Sequence, residues 1–273
     1  MVALLICLAI LLSSNVFAAN LDTASDSQPN ILNDVEYLKE KYADSLSNSE
    51  IDDLLDYHIH DSDFLAHYAE DRDACFEIME NVLLYEITPS VTPFSSQTHY
   101  SVPMVAVRQS TTYNCGPASM VQTLIGMRVY AANLSAAQYK TYEQQLASAV
   151  GTTESGTAPS RMVTELNKHT GGTNKYILQR MSTGYSETSA EYQVTRSLAR
   201  SRPPIIKPRT EQLDYYGGLA IAHFISVQEM NTSYDLNYTI LVDPHYSNAY
   251  FGRHSISNGT FASIMDYREM IYA

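Results

Sequence analysis

The sequence predicts an α+β chain. Apolar residues recur at spacings of three and four over residues 31–83, short strand-like runs collect over residues 204–257, and a Pro- and Ser-rich stretch separates the helical start from the mixed remainder. At 273 residues the chain is long enough for one large or two modest cores. Hydrophobic residues make up 45% and charged residues 17%, a globular composition.

Residues 1–19 read as a signal peptide: an apolar run from Val2 to Leu12, then Ser13-Ser14-Asn15, then Val16-Phe17-Ala18-Ala19 with small residues where a signal peptidase cuts, after Ala18 as first choice. The run is short for a bilayer span, and nothing after Ala19 reaches ~18 consecutive apolar residues. The expectation is a secreted or extracytoplasmic protein with no stable membrane insertion once the signal is removed. Cys7 leaves with it, so the mature chain keeps Cys75 and Cys115, and a disulfide between them is one alternative for an oxidising compartment.

Residues 20–87 form an expected acidic helical region. Ile31, Val35, Leu38 and Tyr42 mark one helix face, and Ser47 with Glu50 has capping-box spacing ahead of Ile51, Leu54 and Leu55. Phe64, Leu65 and Tyr68, then Cys75, Ile78, Met79, Val82 and Leu83, continue the pattern. Residues 20–100 carry 18 acidic against 3 basic residues, net −15, whereas residues 101–273 carry 12 against 14, net +2. Acidity on this scale excludes a nucleic-acid partner, which needs a basic face. The opposed charges raise the expectation of intramolecular contact, with the acidic region as a prosegment or displaceable cover over the rest. Residues 88–100 read as the linker, on the strength of Thr88-Pro89-Ser90-Val91-Thr92-Pro93.

In the domain over 101–273, residues 101–107 read as a strand and 117–127 as a buried helix. Helices follow near 136–150, 159–168 and 190–200, and strands near 204–207, 223–228, 238–242 and 254–257.

The chemistry concentrates around Cys115. Pro117 suits the first turn of a helix, so Cys115 sits at a helix N-terminus, where the dipole and free amides favour a thiolate. Gly116 permits close backbone approach to a ligand. Gln109, six residues upstream, is placed to join the Cys115 backbone N–H as an oxyanion donor. A thiolate needs a base. His58, His60, His67, His99 and His169 read as surface residues, while His223 opens a strand after Gly217-Gly218. If that strand forms a hairpin with 238–242 symmetric about Ser233, residue 223 stands opposite Asp243, which can orient the imidazole. His245 and His254 are reserves.

Together, Gln109, Cys115-Gly116-Pro117-Ala118-Ser119, His223-Phe224 and Val242-Asp243-Pro244-His245-Tyr246 resemble the bacteriocin-processing, double-glycine type of papain-clan cysteine peptidase, in its stand-alone exported branch, over residues 101–273. The resemblance implies a papain-like fold, with a helix carrying the cysteine and an antiparallel sheet carrying His and Asp. It also implies Gln109 as oxyanion donor, Cys115 as nucleophile, His223 as base and Asp243 as orienting residue. The dedicated leader peptidases of this type are fused to a membrane transporter with no counterpart in these 273 residues, so leader cleavage is not carried over. The expected activity is hydrolysis of peptides or peptide-like amides, with a peptide or protein as substrate. A non-catalytic binding domain at the cell surface and an acyl transferase of the same chemistry are the alternatives. No cofactor is called for, and no metal: there is no His-Glu-x-x-His helix, Cys-x-x-Cys pair or phosphate loop, and His58-Ile59-His60 lacks closing ligands.

Overall fold

Four capped helices open the computed structural model, which describes residues 30–87, 98–172, 175–182 and 184–273. The expected signal peptide and most of the expected linker lie outside those residues. Asn30 caps α1 (Ile31–Tyr42), and Ser47 and Glu50 close the expected capping box on α2 (Asn48–His60). Asp61 caps α3 (Ser62–Glu70), and Asp71 accepts the Ala74 N–H at the start of α4 (Arg72–Ile87). The apolar periodicity turns the expected faces inward: Val35, Leu38, Ile51, Leu55, Phe64, Ile78, Met79 and Leu83 are all buried.

Two histidines read as surface residues are not. His58 falls seven positions after Ile51, on the same inward stripe, and is fully buried; His67 is 5% exposed, with its Nδ1 2.9 Å from Ser160 Oγ. The helical spacing that buries Ile51 and Leu55 buries His58 as well.

The expected strand over 101–107 shrinks to β1 (His99–Ser101), two of whose residues were read as linker. Pro103 has no N–H for a ladder. Beyond Val102, whose N–H reaches Gln228 O, this segment's carbonyls are met by side chains: Arg253 bonds Met104 O and Gln122 bonds Val107 O. α5 (Cys115–Gly126) follows, with all of its residues buried, the pattern of a helix inside the core. α6 (Ala136–Ala149) starts from a Ser135–Gln138 capping box, α7 (Pro159–Asn167) carries Pro in its first turn, and α8 (Glu187–Ala199) is capped by Ser186.

The sheet is antiparallel throughout. It comprises β2 (Ile177–Arg180), β3 (Ile205–Ile206), β4 (Ile225–Ser233), β5 (Leu236–Asp243), β6 (Gly252–Ile256) and β7 (Glu269–Tyr272) in the order β2-β7-β3-β4-β5-β6, with β1 pairing β4 beyond the end of β3. The α+β class expected from the sequence is the class observed. β2, β7 and α9 (Asn258–Met265) were not foreseen: two strands of four residues and an eight-residue helix are too short for periodicity to reveal.

The β4–β5 hairpin corrects the expected register. Its first pair is Ser233↔Leu236, so the turn is Tyr234-Asp235 and not a point of symmetry at Ser233. Pairs from Ser233↔Leu236 to Glu229↔Ile240 keep one register, which slips by one residue at a bulge on Gln228 before Val227↔Leu241 and Ser226↔Val242. Continuing the slipped register sets Asp243 opposite residue 225, two from His223 and on the same face; without the bulge, Asp243 would oppose residue 226, whose parity puts His223 on the other face. The bulge therefore brings His223 and Asp243 together as diagonal neighbours.

The N-terminal helices pack on α7 and β2. Glu70 pairs with Arg161, Glu77 with Lys175, and a single cluster of buried apolar residues runs from Ile31 to Ala273. The expected intramolecular contact is present, but its ion pairs fall on α7 and the segment before β2, and neither involves Cys115, His223 or Asp243.

Candidate active site

Cys115 opens α5 at 7% exposure, and its N-cap residue Asn114 makes no side-chain bond to the helix. The first amides are thus free, and the N–H groups of Gly116 and Phe224 both bond to the sulfur. Gly116 is closely packed on its Thr157 and Met162 side. A Cβ there would meet Thr157 Oγ1 at 3.0 Å and Met162 Sδ at 3.1 Å.

His223 and Asp243 are buried, with Nε2 2.9 Å from Asp243 Oδ1. That leaves Nδ1 for Cys115, with which the ring is in side-chain hydrogen-bond contact. Asp243 accepts three further donors: the His245 backbone N–H at 2.8 Å, the Tyr216 hydroxyl at 2.9 Å and the Tyr215 hydroxyl at 3.3 Å. Neither tyrosine was singled out from the sequence, where a Tyr-Tyr pair ahead of Gly217-Gly218 carries no signal of a carboxylate 27 residues away.

The electrostatics follow from these contacts. Burial works against a charged His223, but the Asp243 hydrogen bond, the Cys115 contact and both charges outweigh it and raise its pKa to about 9. Burial likewise pushes the Cys115 thiol up; the His223 hydrogen bond and charge, with the Phe224 and Gly116 amides, bring it below its ordinary value. The pair favours thiolate and imidazolium. Burial first, then the Asp243 charge, pushes Tyr215 and Tyr216 far up, so both remain neutral donors.

Three stitches hold these parts in register. Ser119 Oγ donates to Phe224 O at 3.2 Å and Ser226 Oγ donates to Ser119 O at 3.1 Å, tying α5 to the start of β4. The Gln109 N–H reaches Pro244 O at 2.7 Å, tying the segment before Cys115 to the end of β5. The Gln109 side chain, 3% exposed, spends one Nε2 hydrogen on Thr111 O at 2.6 Å and keeps the other. Its side-chain bond is therefore to Thr111 and not to Cys115.

The reserve histidines border the site, with the His245 ring centre 5.3 Å from that of His223. The His245 ring accepts the Ser247 N–H through Nδ1, and burial followed by the His223 charge lowers its pKa. His254 stacks on Tyr215 with ring centres 3.6 Å apart, its Nε2 2.7 Å from Tyr250 O. Cys75 and Cys115 are both free thiols, so the disulfide alternative is not what the structure contains; burial pushes Cys75 up to about 12. A cavity of about 800 Å³ bordered by Asp56, Tyr57, Arg180 and Tyr267 has none of the site residues in its lining.

A helix opening on a cysteine, laid against an antiparallel sheet that presents a histidine and an aspartate, is the layout described here, and two papain-clan cysteine peptidase structures are similar to the chain. One is a double glycine motif protease from an AMS/PCAT transporter in complex with the leader peptide, at 13% identity over 63% of this chain and 94% of that one, with a TM-score of 0.40. The other is digestive procathepsin L 3 of Tenebrio molitor larval midgut, at 13% identity over 90% of this chain and all of that one, with a TM-score of 0.43. No family model and no curated protein matches the chain.

Proposed function

We propose that the chain is a thiol hydrolase of peptides or peptide-like amides, exported through residues 1–19, with Cys115 as nucleophile, His223 as base, Asp243 as orienting residue and Gln109 as oxyanion donor. The observation that carries this reading is the continuous polar chain from Cys115 through the His223 ring to a buried Asp243. The thiolate attacks the substrate carbonyl carbon, and the carbonyl electron pair moves onto oxygen, where the Cys115 N–H and the remaining Gln109 Nε2 hydrogen receive it. Collapse breaks the C–N bond, and the leaving amine takes the imidazolium proton. Water then attacks the thioester, giving its proton to His223; the product acid leaves and the thiolate–imidazolium pair returns.

The test is labelling with iodoacetamide and acylation by p-nitrophenyl acetate, on wild type, Cys115→Ala and His223→Ala. Wild type labels at Cys115 and turns the ester over. Cys115→Ala loses the modified site, and His223→Ala labels about tenfold more slowly at neutral pH because its thiol is protonated. Equal labelling of wild type and His223→Ala sinks the activated pair. One equivalent of nitrophenolate with no turnover sinks hydrolysis and leaves an acyl transferase of the same chemistry, and no nitrophenolate at all leaves a binding domain.

A further inference from the structure

The loop between Gln109 and Cys115 is held by a residue outside the proposed catalytic set. Glu143, on α6, is fully buried. The Ser110 N–H lies 2.9 and 3.1 Å from its two carboxylate oxygens, and Ser110 Oγ is 3.1 Å from Oε1. The Asn114 amide in turn donates to Ser110 Oγ at 3.5 Å. Ser110 directly follows Gln109, and Asn114 directly precedes Cys115. The carboxylate therefore holds Ser110 at one end of the connection between the proposed oxyanion donor and the nucleophile, and Asn114 at the other end is tied to it through Ser110 Oγ.

The loop's own hydrogen bonds run from Gln109 Nε2 to Thr111 O, from the Tyr113 N–H to Thr111 Oγ1 and from the Asn114 amide to Ser110 Oγ. Gln109 Oε1 and Asn114 Oδ1 are buried without a hydrogen-bond partner, so neither side chain is fixed through its oxygen. Every group that meets Glu143 is a donor, which suits an acceptor-only carboxylate. We propose that Glu143 is a positioning residue: by clamping Ser110, and Asn114 through Ser110 Oγ, it fixes the distance between the Gln109 amide and the Cys115 N–H, and so forms the oxyanion site without touching substrate. This rests on the thiol-hydrolase reading.

Two probes of the same sulfur separate the clamp from the nucleophile. Iodoacetamide alkylates Cys115 by direct displacement and develops no oxyanion. p-Nitrophenyl acetate acylates it through a tetrahedral intermediate that does. In Glu143→Ala the acylation rate falls between about tenfold and a hundredfold, the range expected when oxyanion donors shift by ~1 Å, while the alkylation rate changes less than about threefold. Glu143→Gln stays within about threefold of wild type for both probes, since its amide oxygen still accepts the Ser110 N–H and its NH2 still faces Ser110 Oγ.

Equal losses for both probes in Glu143→Ala, or no loss, overturn the positioning role, as does a Glu143→Gln variant as impaired as Glu143→Ala. If Glu143→Ala does not fold, Ser110→Ala, which removes both bonds at Oγ and keeps the N–H bond to Glu143, decides in its place. A selective loss of acylation supports the clamp, and unchanged acylation overturns it. Wild type inert to both probes brings down the hydrolase reading and the clamp with it, whereas a reactive wild type matched by Glu143→Ala brings down the clamp alone.

Discussion

Four donors converge on Asp243, and no part of it reaches solvent. A carboxylate held in this way fixes which nitrogen of His223 faces the sulfur. Because Asp243 heads the influences raising His223 to about 9, amide turnover in wild type holds through neutral pH and falls as pH passes about 9, where the imidazolium that protonates the leaving amine is lost. Alkylation needs only the thiolate and persists beyond that limb. In Asp243→Ala the upper limb of turnover moves down toward the ordinary histidine value, and activity falls by less than in Cys115→Ala, because nucleophile and base remain. The measurement is kcat against pH for both variants; an unmoved upper limb in Asp243→Ala rules out Asp243 as the group that sets it. At this scale the sequence was legible where chemistry is local: Cys115-Gly116-Pro117 marks a helix start, and Gln109 lies within one loop of it. It was illegible where a contact spans the fold. Glu143 lies 33 residues from Ser110, and Tyr216 lies 27 from Asp243, with no local pattern to announce either pairing.

Helix α5 and strand β4 set the Cys115–His223 distance, and what joins them near that site is two hydrogen bonds, Ser119 Oγ to Phe224 O and Ser226 Oγ to Ser119 O. Both serines are fully buried, so removing one hydroxyl strands a carbonyl in the core. Ser119→Ala leaves Phe224 O without that donor, next to His223. It should lower unfolding free energy by about 1–3 kcal/mol in urea titration and slow Cys115 alkylation relative to a surface control such as Ser45→Ala. Loss of stability with an unaltered alkylation rate would mean that the stitch supports the fold but not the site. Element prediction succeeded where burial is one-sided, as in α1 and α2, whose apolar stripes and caps agree. It failed for residues 102–107, where Val102, Met104 and Val107 are buried without a ladder, because side chains from α5 and β6 take the carbonyls that a neighbouring strand would take. The His223–Asp243 pairing was anticipated from a hairpin centred on Ser233, whereas the true turn is centred between Tyr234 and Asp235. The bulge at Gln228 restored the parity that the real turn would have broken, and no residue type at that position signals it.

Across the whole molecule, the acidic helices are joined to the remainder by apolar packing more than by charge. Glu70–Arg161 and Glu77–Lys175 are partly exposed pairs, each worth about 0–1 kcal/mol and weakened by salt, whereas Leu38, Ile51, Leu55, Phe64 and Leu83 are removed from water altogether. High salt should therefore leave the docking intact. Acid is the more effective agent, through His58. Its ring is fully buried beside Phe64 and Tyr57, with the Leu178 backbone as its polar neighbour, and burial lowers its pKa from 6.5 to about 4. The sign follows from linkage: the unfolded chain binds a proton near 6.5, the folded chain only near 4, so stability that is complete above 6.5 is lost as pH falls toward 4. A shift of this size corresponds to about 3 kcal/mol. His67, lowered by burial and then by the Arg161 charge, acts in the same direction. His223 acts in the opposite one, adding stability below its unfolded value that disappears as pH rises through about 9. Replacing His58 with Phe removes the titration while keeping a ring against Phe64. Measured by urea unfolding, the stability of His58→Phe relative to wild type should improve by about 2–3 kcal/mol between pH 7.5 and pH 4.5. A difference between the two proteins that stays constant across that interval would show that His58 is not the group through which acid acts on the N-terminal helices.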